Sequence, residues 1–545
     1  MEALLQHFHE AVTTEQDVEE LKKLILKLAV RGKLVEQDPN DEPASELLKK
    51  IEKEKERLIA EKKIKKSKVP QAIANDEIPY ELPKGWVWVK CVEIFYTLST
   101  KNSLKSKDYL EEGKYPIIDQ GKKFIAGYTN NEEAVIKIEY PITVFGDHTK
   151  EVKFVDFDFV PGADGTKLLC PFAPIYPKYF YWVIRSYELD DRGYGRHFKL
   201  LKEQLFPLPP VNEQIRIVEK IEALYQKCDE LLEEIVKKQT ASEVLNKSVF
   251  TRIQDYNNSL QMEDLQFAIE NMEYLCNTKE DIDLLRHSIL ILAVQGKLVR
   301  QNPDDEPASV LLQRIKEEKE RLIAEKKIKK EKPLPPITSD EIPYALPNGW
   351  EWERIGNLSK VVEYGTSHKA TEVNVGVPVL RMNNIKGGKV VYDDLKYVEK
   401  SIEDLPRLYL KKGDILFNRT NSYELVGKSG CYLGNDDEYT FASYLIRVSL
   451  FKEYLIPEYV NYFINSPVCR TTQIEPHITQ QNGQANFNGT KLKRILIPIP
   501  PKEEQKRIVT RLNNFMELCD ELEKRISKKI EANSILMSSI IQRVL

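Results

Sequence analysis

Residues 41–66, DEPASELLKKIEKEKERLIAEKKIKK, return at residues 305–330 as DEPASVLLQRIKEEKERLIAEKKIKK, with five of 26 positions changed. Such a repeat constrains the fold more than any local motif, because each copy must find an equivalent environment. The same offset of 264 residues carries AVRGKLV (29–35) onto AVQGKLV (293–299), and IPYELPKGW (78–86) onto IPYALPNGW (342–350). A second offset, 291, carries PPVNEQ (209–214) onto PPKEEQ (500–505) and CDEL (228–231) onto CDEL (519–522). The offset therefore grows by 27 residues between Trp86 and Pro209. A frame is repeated while the material inside it differs in length, as expected of a scaffold that presents two variable modules.

The frame is helical. Ile215, Val218, Ile221, Leu224/Tyr225, Cys228, Leu231/Leu232 and Ile235 recur at three-four spacing with charges between them. Ile508, Leu512, Phe515/Met516, Cys519, Leu522 and Ile526 do the same in the later copy. The preceding Pro-Pro pairs suit helix starts, and Glu213 and Glu503/Glu504 suit the positive helix ends. Each such helix is expected to run about 30 residues, roughly 45 Å. The repeated 41–66 segment lines Leu47/Leu48, Ile51 and Leu58/Ile59 along one side. Its charge run describes a solvated helix face at least as well as a DNA contact.

Residues 86–209 and 350–500 read differently: Gly, Pro and aromatic residues punctuate short alternating stretches such as YPITVFGD (140–147) and DILFNRT (414–420). Each block is large enough for a core of its own. The chain thus runs GKLV/DEPAS arm, module, Pro-Pro/CDEL arm, and then the same three again. In the middle the two kinds of arm are covalently joined; at the ends they are not. An approximate two-fold axis requires the N-terminal helices to dock onto the C-terminal helix as the central pair does.

Composition narrows the class. Net charge is −4, so any nucleic-acid contact must come from local basic loops. Seven cysteines, none in a CxxC pair, fit reduced thiols in the cytoplasm. The longest apolar runs, LILKLAV (24–30) and SILILAV (288–294), are too short to cross a bilayer, and no signal peptide is expected at the start.

The frame resembles the specificity (S) subunit of type I restriction–modification systems over essentially the whole chain. The resemblance is carried by PYELPKGWVW (79–88) and PYALPNGWEW (343–352), by PLPPVNEQIRIVEKIEAL (207–224) and IPIPPKEEQKRIV (497–509), by the GKLV…DEPAS segment in both copies, and by GDILFNRTNSYELVGKSG (413–430). Many members of that family start almost at the first recognition domain, whereas about 80 residues of helical frame come first here; the symmetry argument gives that arm its place. The resemblance implies an α+β fold: two mixed α/β target recognition domains separated by long antiparallel coiled-coil helices, in a pseudo-two-fold repeat whose terminal helices pack together. It divides the chain into an N-terminal helical arm (1–80), recognition domain 1 (81–210), a central helical region (211–340), recognition domain 2 (341–501) and a C-terminal helix (502–545). It also implies the function: a non-catalytic subunit that reads a bipartite, asymmetric site in double-stranded DNA. It would hold two methyltransferase subunits and, through them, restriction/motor subunits, with helix length as the ruler for the unread spacer. No cofactor is expected on this chain; S-adenosylmethionine, ATP and Mg²⁺ belong to the partners.

Base and phosphate contacts call for long polar side chains on exposed loops. In the first module these are Lys101, Asn102, Lys105 and Lys107, then Gln120, Lys122 and Lys123, then His148 and Lys150. In the second they are Arg381, Asn383, Asn384, Lys386 and Lys389, then Arg419 and Asn421, then Gln480, Gln481 and Asn482. Any one of them could equally be a turn or solvated-loop residue; Asn421-Ser422 in particular suits a turn cap.

Enzymatic motifs are weaker. VGKS (426–429) ends like a phosphate loop, but the earlier glycine position holds Ser422. Asp147, Glu151 and Lys153 superficially match a metal-dependent nuclease cluster, with too few residues between them. His148, His197, His368 and His477 lack metal-ligand spacing. The competing readings are a coiled-coil adaptor that never touches DNA and a stand-alone nuclease.

Overall fold

The computed structural model describes residues 12–66, 72–100, 102–163, 165–190, 196–255, 261–481 and 483–544. Two compact units divide the chain: Met1–Gln239 with Glu531–Leu545, and Thr240–Ile530. Six helices build the frame: α1 (Glu15–Val30), α2 (Ala44–Ala60), α3 (Val211–Gln254), α4 (Lys279–Val294), α5 (Ala308–Ala324) and α6 (Lys502–Val544).

The repeat in sequence is a repeat in structure, down to single hydrogen bonds. Helix α1 opens with a capping box in which the Asp17 N–H donates to the Thr14 hydroxyl at 3.2 Å and the Thr14 N–H to the Asp17 carboxylate at 2.9 Å. Thr278 and Asp281 do the same for α4, at 3.1 and 2.9 Å. Such caps satisfy donors that the first helical turn leaves unpaired. Both helices end at a glycine in the left-handed region, Gly32 (φ 65°) and Gly296 (φ 70°). A Cβ there would meet Pro83 Cγ at 2.4 Å or Pro347 Cγ at 2.7 Å, which explains the glycine of each GKLV.

Helix α2 buries Leu47, Ile51 and Leu58, and α5 buries Leu311 and Ile315. Their charges pair along the helix surface: Arg57 with Glu54 and Glu61, both at 2.7 Å, and Arg321 with Glu318 at 2.7 Å and Glu325 at 2.6 Å. The arginine of each charge run is thus paired within its own helix, as on a solvated helix face.

The Pro-Pro helices are longer than the expected 30 residues: α3 has 44 and α6 has 43. Helix α3 continues because its end gains a new apolar neighbour: Val249, Phe250 and Ile253 enter the same core as Ile282, Leu285 and Ile289 of α4. Its first part buries Ile217, Val218, Ile221, Leu224 and Cys228; Ile215, expected on this stripe, is only half-buried and Ile217 takes its place. Helix α6 buries Ile508, Val509, Leu512, Phe515, Cys519 and Leu522.

In the first unit Lys22 of α1 pairs with Asp229 of α3 at 2.8 Å. In the second, Arg286 of α4 pairs with Asp520 of α6 at 2.7 Å and with Glu523 at 2.8 Å. The junctions repeat too. In the second unit the Asn277 amide donates to the Ser242 hydroxyl at 3.1 Å. In the first, the Asn533 amide donates to the Thr13 hydroxyl, also at 3.1 Å. Thr13 and Asn533 are the repeat equivalents of Asn277 and Ser242, so the contact that ties the opening of α1 to α6 repeats the one that ties the opening of α4 to α3.

Each module is pinched at its neck by an antiparallel ribbon. Strand β1 (Val87–Lys90) pairs with β9 (Leu205–Leu208), and β10 (Glu351–Arg354) pairs with β23 (Leu496–Ile499). Beside each ribbon a tryptophan indole donates to a fully buried glutamate: Trp86 to Glu213 at 2.9 Å and Trp350 to Glu504 at 3.1 Å. Arg216–Asp41 at 2.7 Å and Arg507–Asp305 at 2.6 Å tie the helix starts to the repeated DEPAS segment. Burial pushes both carboxyls, Glu213 and Glu504, above the usual carboxylate range. A carboxyl raised in the folded state is destabilising once it must ionise, so its stabilising share is present at low pH and lost as pH rises through its folded value. Glu504→Gln keeps the acceptor for Trp350 without the charge. Its melting midpoint relative to the parent should therefore rise between pH 4.5 and pH 7.5; a constant difference would contradict this.

The modules differ in sequence but share one topology. In the first, β2 (Phe95–Thr97), β8 (Thr166–Pro171), β5 (Ile142–Gly146) and β6 (Val152–Val155) form an antiparallel sheet in the order β2-β8-β5-β6. Beside it, β3 (Tyr115–Ile118) lies between antiparallel β4 (Gly127–Thr129) and parallel β7 (Val160–Pro161). In the second module the order β11-β20-β16-β18 repeats the first sheet, with β11 (Ser359–Tyr364), β20 (Leu445–Leu450), β16 (Ile415–Asn418) and β18 (Ser429–Cys431). Likewise β12 (Val377–Leu380) lies between antiparallel β15 (Lys396–Val398) and parallel β19 (Thr440–Phe441). The second module adds the hairpin β13 (Ile385–Lys386)/β14 (Lys389–Val390), and a three-stranded sheet of β17 (Thr420–Asn421), β22 (Gln484–Asn486) and β21 (Thr479–Gln481). The filling, like the frame, is therefore repeated.

The modules are not independent beads, as their size had suggested. Trp86 and Phe180 share one cluster with Leu24 and Ile221, and Trp350 and Tyr459 share another with Ile289 and Ile508. The clusters confined to the modules are smaller.

Candidate nucleic-acid interface

Equivalent strands end in equivalent loops, and the candidate residues cluster there. Residues 119–123 follow β3 as 381–384 follow β12; residues 147–150 follow β5 as 419–422 follow β16. The parallel partners β7 and β19 end alongside.

In the first module these loops are bound to one another. The Gln120 side-chain oxygen accepts the His148 N–H at 3.2 Å, and the Gln120 carbonyl accepts the Thr149 hydroxyl at 2.6 Å. The Leu104 N–H donates to the Pro161 carbonyl at 3.1 Å, and the Ala163 N–H to the Leu104 carbonyl at 2.6 Å, drawing residues 102–107 to the end of β7. Asn102, Lys105, Lys107, Lys122 and Lys123 are exposed; Gln120, His148 and Lys150 are half-buried. The Asn102 amide donates to the Glu133 carbonyl at 3.0 Å, and Lys150 to the Leu189 carbonyl at 3.4 Å. Lys101 lies outside the described residues.

Lys153 has a role that its nuclease-like spacing does not suggest. Its buried ammonium donates to the carbonyls of Asp119, at 2.9 Å, and Lys123, and so holds the turn that carries Gln120, Lys122 and Lys123. Burial lowers its pKa. The buried Asp147 carboxylate accepts the Phe198 N–H at 2.8 Å. Among the described residues, no group of three or more His, Cys, Asp or Glu is placed to hold a metal ion.

In the second module the Thr366 N–H donates to Phe441 and the Ser443 N–H to Thr366, both at 2.9 Å, while the Arg419 N–H donates to Tyr444 at 3.0 Å. The half-buried Arg419 guanidinium lies over the Tyr364 ring, 4.9 Å from its centroid. Thr420 pairs with Asn486 in the β17–β22 ladder, and β21 pairs with the far side of β22, so the exposed Gln480 lies across Ala485 from Asn421. Gln481 ends β21, and Asn482 lies outside the described residues. Asn421 accepts the Ser422 N–H at 2.8 Å, the turn contact its sequence suits.

Several candidates of the second module are engaged within the protein. Asn384 is fully buried; it accepts the Arg381 N–H at 2.9 Å and donates to the carbonyls of Val391 at 3.0 Å and Asp393 at 2.7 Å. It cannot reach a base edge and instead closes the loop that carries Arg381 and Asn383. Lys389 is exposed, but pairs with Asp520 of α6 at 3.3 Å; Lys386 lies 3.6 Å from Asp393. Thr366, Ala442–Tyr444 and Gly162 complete the rims, and sequence reasoning missed them. The strands that bring them there, β7 and β19, are two residues long and leave no periodic trace.

The fold defines a class of scaffold in which two modules of one topology sit in a duplicated helical frame. Comparison with known proteins makes the class specific. A family model described as the type I restriction modification DNA specificity domain matches residues 347–532. The chain is 32% identical over 555 residues to the type I restriction enzyme EcoAI specificity subunit of Escherichia coli, covering 93% of this chain and 90% of that one. It is also 32% identical over 542 residues to the EcoEI specificity subunit of the same species, covering 93% and 91%. A crystal structure of the HsdS subunit from Thermoanaerobacter tengcongensis aligns over 86% of this chain and 98% of that one, with 16% identity and a TM-score of 0.40. On the strength of the full-length sequence relatives, this chain belongs to the family of type I restriction enzyme specificity subunits. Among the described residues no helix is long and apolar enough to cross a membrane.

Proposed function

We propose that this chain is the DNA-reading subunit of a type I restriction–modification complex in the cytoplasm. Each module reads one half of a two-part site in double-stranded DNA, and because the rim residues differ between the modules, the site is asymmetric. The observation that carries this reading is the convergence of long polar side chains on topologically equivalent rims of two modules inside one duplicated frame. The frame helices set the unread spacer and hold two methyltransferase subunits, through which restriction/motor subunits join. The chain itself supplies no catalysis: Lys153 and Asp147 are engaged with backbone groups of their own module. S-adenosylmethionine, ATP and Mg²⁺ are bound by the partners, and methylating a base in duplex DNA requires the methyltransferase to flip it out.

Among the rim residues, Gln120, Lys122, Lys123, His148 and Lys150 serve the first half-site, together with Asn102, Lys105 and Lys107. Arg381, Asn383, Arg419, Asn421 and Gln480 serve the second. A well-placed Arg contact to a base discriminates by about 1–3 kcal/mol. Arg419→Ala, expressed with the methyltransferase, should therefore relax one position of one half-site in the methylated motif and leave the other half unchanged. An unchanged motif would remove Arg419 from the readers, and relaxation in both halves would contradict the division of labour between modules.

A further inference from the structure

The loop after β12 holds two candidate readers against an acid of the same loop. Arg381 Nη2 lies 2.8 Å from Asp394 Oδ2, and Asn383 Nδ2 lies 3.0 Å from that same oxygen. Arg381 Nη2 also donates to the Asp394 carbonyl. Two side chains thus converge on one anionic oxygen at the surface, where the Asp394 side chain is 71% exposed. The donors are held from below by buried Asn384, which bridges the Arg381 N–H to the carbonyls of Val391 and Asp393. Asp394 itself adopts a left-handed backbone, φ 49°, an uncommon conformation for a residue other than glycine.

The geometry points to a phosphate-binding site, formed by Arg381 and Asn383, that the chain fills with its own Asp394 until DNA arrives. This inference rests on the DNA-reading function proposed above and adds to it an internal competitor. Two donors on a single charged oxygen match a phosphate oxygen, whereas an arginine reading guanine needs two separate acceptors, O6 and N7. Exchanging carboxylate for phosphate keeps the guanidinium paired with an anion. Asp394 is the exposed member of the pair, and a carboxylate so placed contributes little to stability, so the latch can open without disturbing the loop beneath it. Asp394 therefore sets a threshold: every phosphate must displace it, which weakens indiscriminate contact with the DNA backbone.

The test uses the full chain and a mixed-sequence DNA duplex, with affinity measured across a range of salt concentrations. Asp394→Asn removes the charge and suits the site, because asparagine tolerates the left-handed backbone. Affinity should rise by about two- to fivefold, the effect expected of losing one weak competing pair. The slope of log affinity against log salt should steepen by about one, the increment for one more neutralised phosphate. In an Arg381→Ala background the same substitution should give no gain. Unchanged or weaker binding by Asp394→Asn overturns the latch while leaving the DNA-reading function in place. A gain confined to one base pair of the methylated half-site overturns the phosphate assignment in favour of a covered base reader. If neither parent nor variant retains duplex DNA even at low salt, the DNA-reading function fails together with the latch.

Discussion

A Thr13→Cys/Asn533→Cys chain is expected to close into a covalent ring with a short thiol–thiol cross-linker. The two side chains touch at 3.1 Å across a separation of 520 residues, and all seven native cysteines are buried, so background reaction should be low. The physical reason is the repeat. The central junction of α3 and α4 has a covalent connection, and its equivalent at the chain ends must hold by packing alone. By chain entropy, closing a loop of that length stabilises the folded state by about 6 kcal/mol. The cross-linked chain should therefore show altered mobility on a denaturing gel and a clearly raised melting temperature. Absence of the product in the folded protein would mean that the ends do not meet, and the pseudo-symmetric closure would be wrong.

Trp350→Ala should have the largest destabilising effect. Trp350 is 5% exposed, lies in the core shared by frame and second module, and donates its indole N–H to Glu504. Removing a buried tryptophan costs about 3–5 kcal/mol through lost transfer energy and the cavity left behind. It also leaves a buried carboxylate without that donor, and Glu504 Oε1 already lacks a hydrogen-bond partner among the described residues. Hydrogen exchange should accelerate in β10 and β23, the neck of the second module, and remain unchanged in β1 and β9. Trp86→Ala should reverse the pattern. Uniform acceleration in both necks would show that the two units do not unfold separately, and a loss below about 1 kcal/mol would contradict the role of the tryptophan as the pin between module and frame.

The frame was legible in the sequence because each repeated residue performs a repeated task. The GKLV glycine avoids a proline ring, the DEPAS aspartate pairs with an arginine at the start of α3 or α6, and the Gly-Trp tryptophan pins a glutamate. These contacts depend on chemical identity and therefore survive as letters. The kinship of the two modules was not legible. It is carried by strand order and by the parallel pairs β3/β7 and β12/β19, which different residues and inserts of different length can satisfy. The length of α3 was underestimated for a related reason: its distal turns are buried by a different neighbour from its proximal turns, so one stripe does not describe both. At the rims, choosing long polar residues found loops that do converge. Composition could not separate Asn384, which lies inside the loop, from Asn383, which lies on it. Nor could it show that Lys153 props the turn beneath Gln120.

The central claim is that two modules of one topology read two different half-sites. Mapping every methylated base in the genome of cells that express this chain with its methyltransferase subunits tests it most directly. The account predicts a single motif of two unlike halves, separated by a spacer of constant length and unconstrained sequence. A continuous motif, or no sequence preference at all, would contradict it.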